Sequence, residues 1–199
     1  DEVAFLSLSS PFPVENRPII ELPVGPMSAK EIDNTLPKMA KVVKELLDSH
    51  PDDKGIIHCH TFKIAKYLWQ YVEGDRLLIH ETRDRDEVLQ KHMQSDKPTV
   101  LLSPSMSEGV DLRDDCSRFQ IICKIPYPYL GDKVVKKRMT KWPGWYPLQT
   151  AKSIVQAVGR SIRSVDDHAV TYILDAQWRS FYGRYKKFFP ADFHNCIKR

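Results

Sequence analysis

Short apolar runs alternate with helical patterns along most of the 199-residue chain. The apolar runs predict short strands near 4–8, 18–22, 55–60, 77–79, 99–102, 119–123 and 170–174. Between them, apolar residues recur every three or four positions, which predicts helices at about 37–49, 64–72, 84–93, 132–140 and 148–164. The first of these helices is expected to begin at Pro37. This alternation predicts an α/β, three-layer domain whose mostly parallel sheet is covered by helices on both faces.

Composition narrows the class of protein. A hydrophobic fraction of 42% excludes a disordered chain, and no apolar run is long enough to cross a membrane. The chain opens at Asp1 rather than Met, which indicates a processed protein or an excised fragment, and we expect a single domain. Its four cysteines form no CxxC pair, so reduced thiols in a cytoplasmic (nucleoid-associated) or nuclear setting fit best.

The segment Gln156-Ala157-Val158-Gly159-Arg160-Ser161-Ile162-Arg163 carries the clearest chemistry. On the helix predicted at 148–164, Gln156, Arg160 and Arg163 share one face, and apolar residues occupy the other. Two guanidinium groups on a rigid support suit a polyphosphate, because each is permanently charged and binds oxygens bidentately. By spacing alone, a helix with two solvent-facing arginines is an equally open interpretation.

A second segment, Ser103-Pro104-Ser105-Met106-Ser107-Glu108-Gly109-Val110-Asp111, follows a predicted strand directly. Ligands bind α/β sheets at the carboxyl ends of parallel strands. Hydroxyl groups and loop amides suit phosphate, and a following aspartate can accept hydrogen bonds from a ribose. Taken alone, an ordinary turn explains the segment as well.

Together and in this order, the two segments resemble the second RecA-like domain of a superfamily 2 helicase, in particular the XPD/DinG branch of ATP-dependent DNA helicases. Residues 156–163 resemble that branch's sixth motif, QAxGRxIR, and residues 107–111 resemble its fifth, SEGVD. Residues 56–65 resemble the fourth motif, and Ser10-Pro11-Phe12-Pro13 resembles the segment at the crossover between the two lobes. The resemblance covers nearly the whole chain, residues 1–199.

The resemblance implies roles for individual residues. Arg163 resembles the arginine finger, Arg160 is its partner at the γ-phosphate, and Gln156 orients a phosphate or the attacking water. The nucleotide-binding residues it implies are Glu108, Gly109 and Asp111, of which the last two contact the ribose and couple the lobes. Thr61 and Ser103 match positions that bind the nucleic-acid backbone. Glu108 lies at a position where RNA-helicase relatives often carry arginine, and this difference favours the DNA-helicase branch.

The resemblance also implies a missing half. ATP with Mg²⁺ binds between two lobes, and the metal is held mainly by the N-terminal RecA-like lobe, a partner that this chain lacks. Gly131-Asp132-Lys133 lacks the upstream glycine and the hydroxyl of a phosphate loop, so the isolated chain is expected to be inactive. An iron–sulfur cluster is possible only in the missing lobe. We expect no metal site in this chain and no membrane partner.

Residues 126–147 predict a loop that mixes five cations with aromatic side chains. Lys136, Lys137 and Arg138 form its centre, and such a mixture suits single-stranded DNA, because cations track phosphates and aromatic rings stack on bases. A solvated basic helix whose aromatic residues fill a satellite core is an equally open interpretation.

Four other interpretations compete with a DNA helicase. His58-Cys59 resembles the start of a cysteine-phosphatase HC-x5-R loop, but that chemistry needs arginine at position 65, which is Ala65. His58 and His60 share a strand face, yet no further metal ligands converge in the sequence. A non-catalytic RecA-like module that binds nucleotide or nucleic acid, or an RNA helicase lobe, remains the alternative.

Overall fold

A computed structural model describes residue 4 and residues 10–72, 74–104 and 112–198. The strands are β1 (Ile19–Gly25), β2 (Gly55–His58), β3 (Leu77–Ile79), β4 (Val100–Ser103), β5 (Phe119–Ile122), β6 (Val170–Asp175) and β7 (Ile197–Lys198). The helices are α1 (Ile32–Ser49), α2 (Phe62–Tyr71), α3 (Arg85–Gln94), α4 (Lys133–Lys141), α5 (Trp145–Val158), α6 (Gln177–Tyr185) and α7 (Ala191–Cys196). The strand predicted at 4–8 lies almost entirely outside the described residues.

The seven strands form one sheet in the order β3-β4-β2-β5-β6-β1-β7, and every pairing is parallel. Successive side chains of a strand point to opposite faces, so the inner strands feed two cores. Ile57 and Ile121 pack towards α1 and α2, whereas Ile122 and Ile173 pack with α5, α6 and α7. The predicted three-layer α/β architecture is confirmed.

Helix α1 begins five residues before Pro37, so the predicted start at that proline is wrong. A proline inside a helix removes one backbone hydrogen bond. Pro37 lies in the second turn on the exposed face, where water can bond the carbonyl that loses its partner. Leu36, Met39 and Val43 bury the opposite face, and this packing outweighs the lost bond.

Asp175 joins three elements at the carboxyl edge of the sheet, the edge at which the parallel strands end. Its carboxylate accepts hydrogen bonds from the backbone N–H groups of Met27, Ile125 and Gln177, at 3.2, 3.0 and 3.0 Å. Burial raises the pKa of this carboxyl, and the three donors oppose that effect. The ends of β1 and β5 and the start of α6 are thereby fixed to one another.

The C-terminal part of the chain, from Gln177 onwards, contains elements that sequence reasoning did not predict. Helices α6 and α7 cover the second face with an aromatic cluster, and β7 adds an edge strand beside β1. Trp178 is buried in this cluster, and its indole N–H donates to Glu21 at 2.8 Å. Among the described residues, no helix has the length and apolar character that crossing a membrane requires.

Candidate nucleotide and nucleic-acid interface

Two of the residues expected to bind nucleic acid, Thr61 and Ser103, lie at the same edge of the sheet. Ser103 ends β4 and pairs in register with His58, which ends β2. Thr61 follows three residues later and caps α2, where its hydroxyl accepts from the Ile64 N–H at 3.3 Å. The neighbouring strands thus bring both residues to the carboxyl edge, and their contact with nucleic acid stays a prediction.

The turn between β2 and α2 is conformationally strained at His60. This residue has φ of 62°, in the left-handed region that side chains other than glycine rarely adopt. Its Nε2 lies 3.3 Å from the carbonyl oxygen of Tyr127, which holds the ring against the segment after β5. Burial lowers the pKa of His60, and the charge of Lys124 lowers it further.

A cavity of about 260 Å³ opens at this edge between the strand ends and α5. Its polar lining comes from five side chains at the ends of β2, β4 and β5 and on α5, and these are His58, His60, Ser103, Lys124 and Ser153. Its remaining walls are apolar, with Ile122 and Ile154 among them. Polar groups that converge over an apolar floor are typical of a small ligand site.

The phosphatase and metal interpretations find no support in the geometry. Cys59 is fully buried, and burial raises the pKa of its thiol well above the ordinary value, the opposite of what an activated thiolate needs. Ala65 is buried in α2 and leaves no cation beside that sulfur. Within residues 10–72, 74–104 and 112–198, no three histidine, cysteine or acidic side chains group as metal ligands.

Helix α5 ends at Val158, so the prediction that Gln156, Arg160 and Arg163 share one helix face is wrong. Gln156 is exposed near the helix end, while the two arginines lie on the segment that follows. Gly159 is a weak helix former and occupies the C-cap, where its N–H bonds the Val155 carbonyl at 3.0 Å. The chain then turns back towards the sheet.

Gln120 holds the end of α5 against the centre of the sheet. This buried β5 side chain donates to the carbonyl oxygen of Val158 at 2.8 Å. Its Oε1 lies 3.3 Å from Nε2 of His58. Burial lowers the pKa of His58 to about 4, and the positive charge of Arg160 contributes to that shift. His58 is therefore neutral at pH 7 and lies within the electrostatic reach of Arg160.

Asp167 fixes the other end of the arginine-bearing segment. Its buried carboxylate accepts the Arg163 N–H at 3.1 Å and a guanidinium N–H of Arg118 at 2.7 Å. A hydroxyl pair between Ser161 and Ser117, 2.5 Å apart, ties the middle of the segment to the residues before β5. Arg160 and Arg163 thus stand on a segment that buried polar groups hold at three points.

The remaining nucleotide-binding residues predicted from the sequence, Glu108, Gly109 and Asp111, lie outside the described residues. The predicted approach of Asp111 to Arg163 therefore stays a prediction.

Within the region predicted as a loop at 126–147, the helix expected at about 132–140 is present. Helix α5 also begins inside this region, at Trp145. Helix α4 spans Lys133–Lys141 and begins at Asp132, whose carboxylate accepts from two backbone N–H groups. Every position of α4 is at least partly solvent-accessible, and a groove of about 320 Å³ runs along it. We call the cations and tryptophans here the α4 surface; its members are Lys133, Lys136, Lys137, Arg138, Lys141, Trp142 and Trp145.

The aromatic side chains of this region divide into two groups. Tyr127 stacks on Tyr146 with ring centroids 6.1 Å apart and packs edge-on against Phe181, so these rings belong to the core. Trp142 is half exposed and lies under the Lys141 ammonium at 4.9 Å, and Arg138 lies 5.5 Å from the Trp145 ring. The satellite-core interpretation describes Tyr127 and Tyr146 but not Tyr129, which is 79% exposed. The cation-and-ring surface describes the tryptophans.

Sequence reasoning missed Lys124, Gln120 and Asp167. A polar residue inside the apolar run Phe119-Gln120-Ile121-Ile122 was a usable signal, since a buried amide needs partners. Lys124 directly follows that strand, at the position where ligands bind α/β sheets. Asp167 carried no signal, because its partners Arg118 and Arg163 are joined only by the fold.

Comparison with known proteins identifies the family. A family model described as a helicase C-terminal domain matches residues 39–196. The chain belongs to this helicase family. The ATP-dependent DNA helicase DinG of Photobacterium profundum is 27% identical over 191 residues, which cover 88% of this chain and 28% of the relative. A regulator of telomere elongation helicase 1 homolog of Drosophila sechellia is 25% identical and covers 78% of this chain and 18% of the relative.

Solved structures agree on the fold. The S. tokodaii Xpd4 structure superposes with a TM-score of 0.66 at 17% identity, and it covers 92% of this chain and 38% of that one. The C-terminal domain of the DEAD-box protein Dbp5 superposes with 0.55 at 13% identity, with 86% of each chain covered. The resemblance to an XPD/DinG-like C-terminal helicase domain is confirmed, and the chain spans less than a third of these curated relatives.

Proposed function

We propose that this chain, over residues 1–199, is the C-terminal motor lobe of an ATP-dependent DNA helicase. It supplies Arg163 as arginine finger and Arg160 as its partner to an ATP site that an N-terminal RecA-like lobe completes. The observation that carries the proposal is the anchoring of the arginine segment by Gln120, Ser161 and Asp167. These anchors fix the backbone that carries the guanidinium groups before the reaction, and stabilisation of a transition state requires such fixed positions.

The chemistry of the arginines fits the triphosphate of ATP. Phosphoryl transfer spreads negative charge over the γ-phosphate oxygens, and a guanidinium can contact two of them at once. The ligands of Mg²⁺ are placed mainly on the N-terminal lobe. Within the ranges that the structure describes, no three histidine, cysteine or acidic side chains group as metal ligands. Gln156 orients a phosphate or water, and Glu108, Gly109 and Asp111 contact the nucleotide.

Single-stranded DNA is the proposed polymer substrate. The α4 surface combines five cations with two tryptophans, and its members Lys133, Lys137, Arg138, Lys141 and Trp142 line one groove. Phosphates can pair with the cations, and bases can stack on the rings. Thr61 and Ser103 add backbone contacts at the carboxyl edge. The relatives named above include a DNA helicase, which favours DNA over RNA. A DNA substrate places the whole protein in the nucleoid-containing cytoplasm or in the nucleus.

Binding of labelled single-stranded DNA to this chain tests the α4 surface. Replacing Lys136, Lys137 and Arg138 together with glutamine removes up to three cations that neutralise phosphates. The slope of log K against log salt should therefore fall by up to about 2, since each neutralised phosphate of a single strand adds roughly 0.7 to it. Fluorescence anisotropy between about 50 and 200 mM salt measures this slope.

A second triple variant provides the control. Lys30, Lys38 and Lys41 are exposed on and before α1, so replacing them with glutamine removes the same charge elsewhere on the molecule. The control variant should keep the parent's slope. An equal fall of the slope in both variants would show that net charge, and not the α4 surface, governs binding. Equal affinity for RNA of the same sequence would favour an RNA helicase lobe.

A further inference from the structure

Lys124 is a half-buried cation without a direct partner. It follows β5 at the carboxyl edge, and among the described residues it forms no hydrogen bond or ion pair. Its charge is felt by Asp175, but that carboxylate already accepts three backbone N–H groups. A half-buried lysine that has no carboxylate partner among the described residues fits an anion better than it fits a structural role.

The cavity around Lys124 has the shape and chemistry of a phosphate ester site. Its volume of about 260 Å³ exceeds what one phosphate needs and leaves room for an attached sugar. The Ser103 and Ser153 hydroxyls line it from β4 and α5, while Ile122, Ile154 and Ala157 form an apolar floor. A phosphate could pair with the Lys124 ammonium and accept hydrogen bonds from the two serine hydroxyls, while the carbon skeleton of a sugar packs on the apolar side chains.

Among the side chains that line the cavity, Lys124 carries the positive charge at pH 7. Burial lowers the pKa of His58 to about 4 and also lowers the pKa of His60, so both rings are neutral at pH 7. The strained backbone at His60 keeps its ring at the cavity wall, and such strain clusters at binding sites. The two histidines therefore shape the site and offer hydrogen bonds, and the lysine selects an anion.

The cavity lies within reach of the α4 surface along one helix. Ser153 follows Trp145 by eight residues on α5, which is a distance of about 12 Å along the helix axis. One extended polymer can therefore contact the tryptophans at the start of α5 and the cavity at its middle. A free phosphate ion is too small to contact both places.

We propose that Lys124 and Ser153 form a subsite for one phosphodiester group of single-stranded DNA, with its deoxyribose against the floor of Ile122 and Ile154. The subsite rests on the proposed function, since it takes the same polymer as the α4 surface. It gives the bound strand a fixed point at the carboxyl edge, directly beside Thr61 and Ser103.

Lys124→Met tests the subsite, because methionine keeps most of the stem and removes the charge. Affinity for labelled oligothymidylate should fall about fivefold, and the salt slope should fall by about 0.7, the amount expected for one phosphate. Lys124→Arg should keep the slope, and Ser153→Ala should weaken binding with the slope unchanged. Lys152→Met is the matched control, since Lys152 is an exposed neighbour outside the cavity, and it should bind like the parent.

The outcomes separate the two proposals. If the parent chain binds no single-stranded DNA, the proposed function fails, and the subsite fails with it. If the parent binds and Lys124→Met matches Lys152→Met in affinity and slope, the subsite alone is wrong. A titration with inorganic phosphate, followed by NMR, distinguishes DNA from a free phosphate ion as the ligand. If it shifts the cavity's NMR signals in the parent and not in Lys124→Met, while DNA affinity is equal in both, the cavity takes free phosphate and the proposal is overturned.

Discussion

Gln120 shows how one residue can join the two halves of the candidate site. Its amide contacts His58 on β2, the end of α5 and Thr171 on β6, partners that lie 62, 38 and 51 positions away in the sequence. No local pattern contains such a set of contacts. The sequence could indicate only that a polar residue in an apolar strand needs partners, and the fold determines which partners they are.

The buried histidines predict how stability depends on pH. The pKa values of His58 and His92 are both lowered to about 4, chiefly by burial, whereas an unfolded histidine titrates near 6.5. Between these values the unfolded state binds protons that the folded state does not. The free energy of unfolding is therefore highest above pH 6.5 and should fall, by on the order of 3 kcal/mol per histidine, as pH drops towards 4.

Urea unfolding at successive pH values measures this dependence. His58→Gln removes one titrating group, so the slope between about pH 4.5 and 6 should flatten by roughly 1.4 kcal/mol per pH unit. The comparison at about pH 7.5, above the window, serves as the control for the cost of the substitution itself. A variant whose slope equals the parent's would show that His58 titrates normally in the folded chain.

At the scale of elements, the end of α5 decides where the two arginines stand. The pattern of apolar residues continues through Ile162, which is buried, and this continuity predicted a longer helix. The buried hydrogen bonds of Gln120, Ser161 and Asp167 take the place of the helical hydrogen bonds that residues 159–163 would otherwise form. Long-range polar contacts of this kind leave no periodic trace in a sequence, although Gly159 marks the stop.

Asp167→Asn tests the anchoring of that segment. The amide cannot replace a carboxylate that accepts from Arg118 and from the Arg163 and His168 N–H groups. We expect the free energy of unfolding to fall by about 1–3 kcal/mol. Asp166→Asn, at the exposed neighbouring position, should change it by less than about 0.5 kcal/mol. Equal urea midpoints for the two variants would contradict the anchoring role.

The strands show what local pattern does predict. The apolar runs predicted as strands at 55–60, 77–79, 99–102 and 119–123 become β2, β3, β4 and β5 within one or two residues, because strands buried on both faces are apolar throughout. Helix limits were less predictable. Helix α1 extends five residues before Pro37 because its buried face continues there through Ile32 and Leu36.

At the scale of the whole molecule, the sequence predicted the three layers but not the helices α6 and α7, which complete the cover of one face of the sheet. Helices α6 and α7 are held by an aromatic cluster of Trp178, Phe181, Phe189 and Phe193. In α6 the aromatic residues recur at 178, 181, 182 and 185, which is the spacing of one helix face, so the sequence carried a usable signal for this helix that sequence reasoning missed. The motif order identified the lobe, since it reports a shared ancestor rather than a local preference.

DNA-stimulated ATP hydrolysis by the full-length protein tests the central claim, that this lobe supplies Arg163 as the arginine finger. Arg163→Lys keeps the charge but loses the planar fork, so turnover should fall by about 10³–10⁵, almost as far as in Arg163→Ala, while ATP affinity changes far less. Arg179→Lys, on the exposed face of α6, should hydrolyse ATP like the parent. If Arg163→Lys retains turnover within about threefold of the parent, Arg163 is not the finger, and the claim is contradicted.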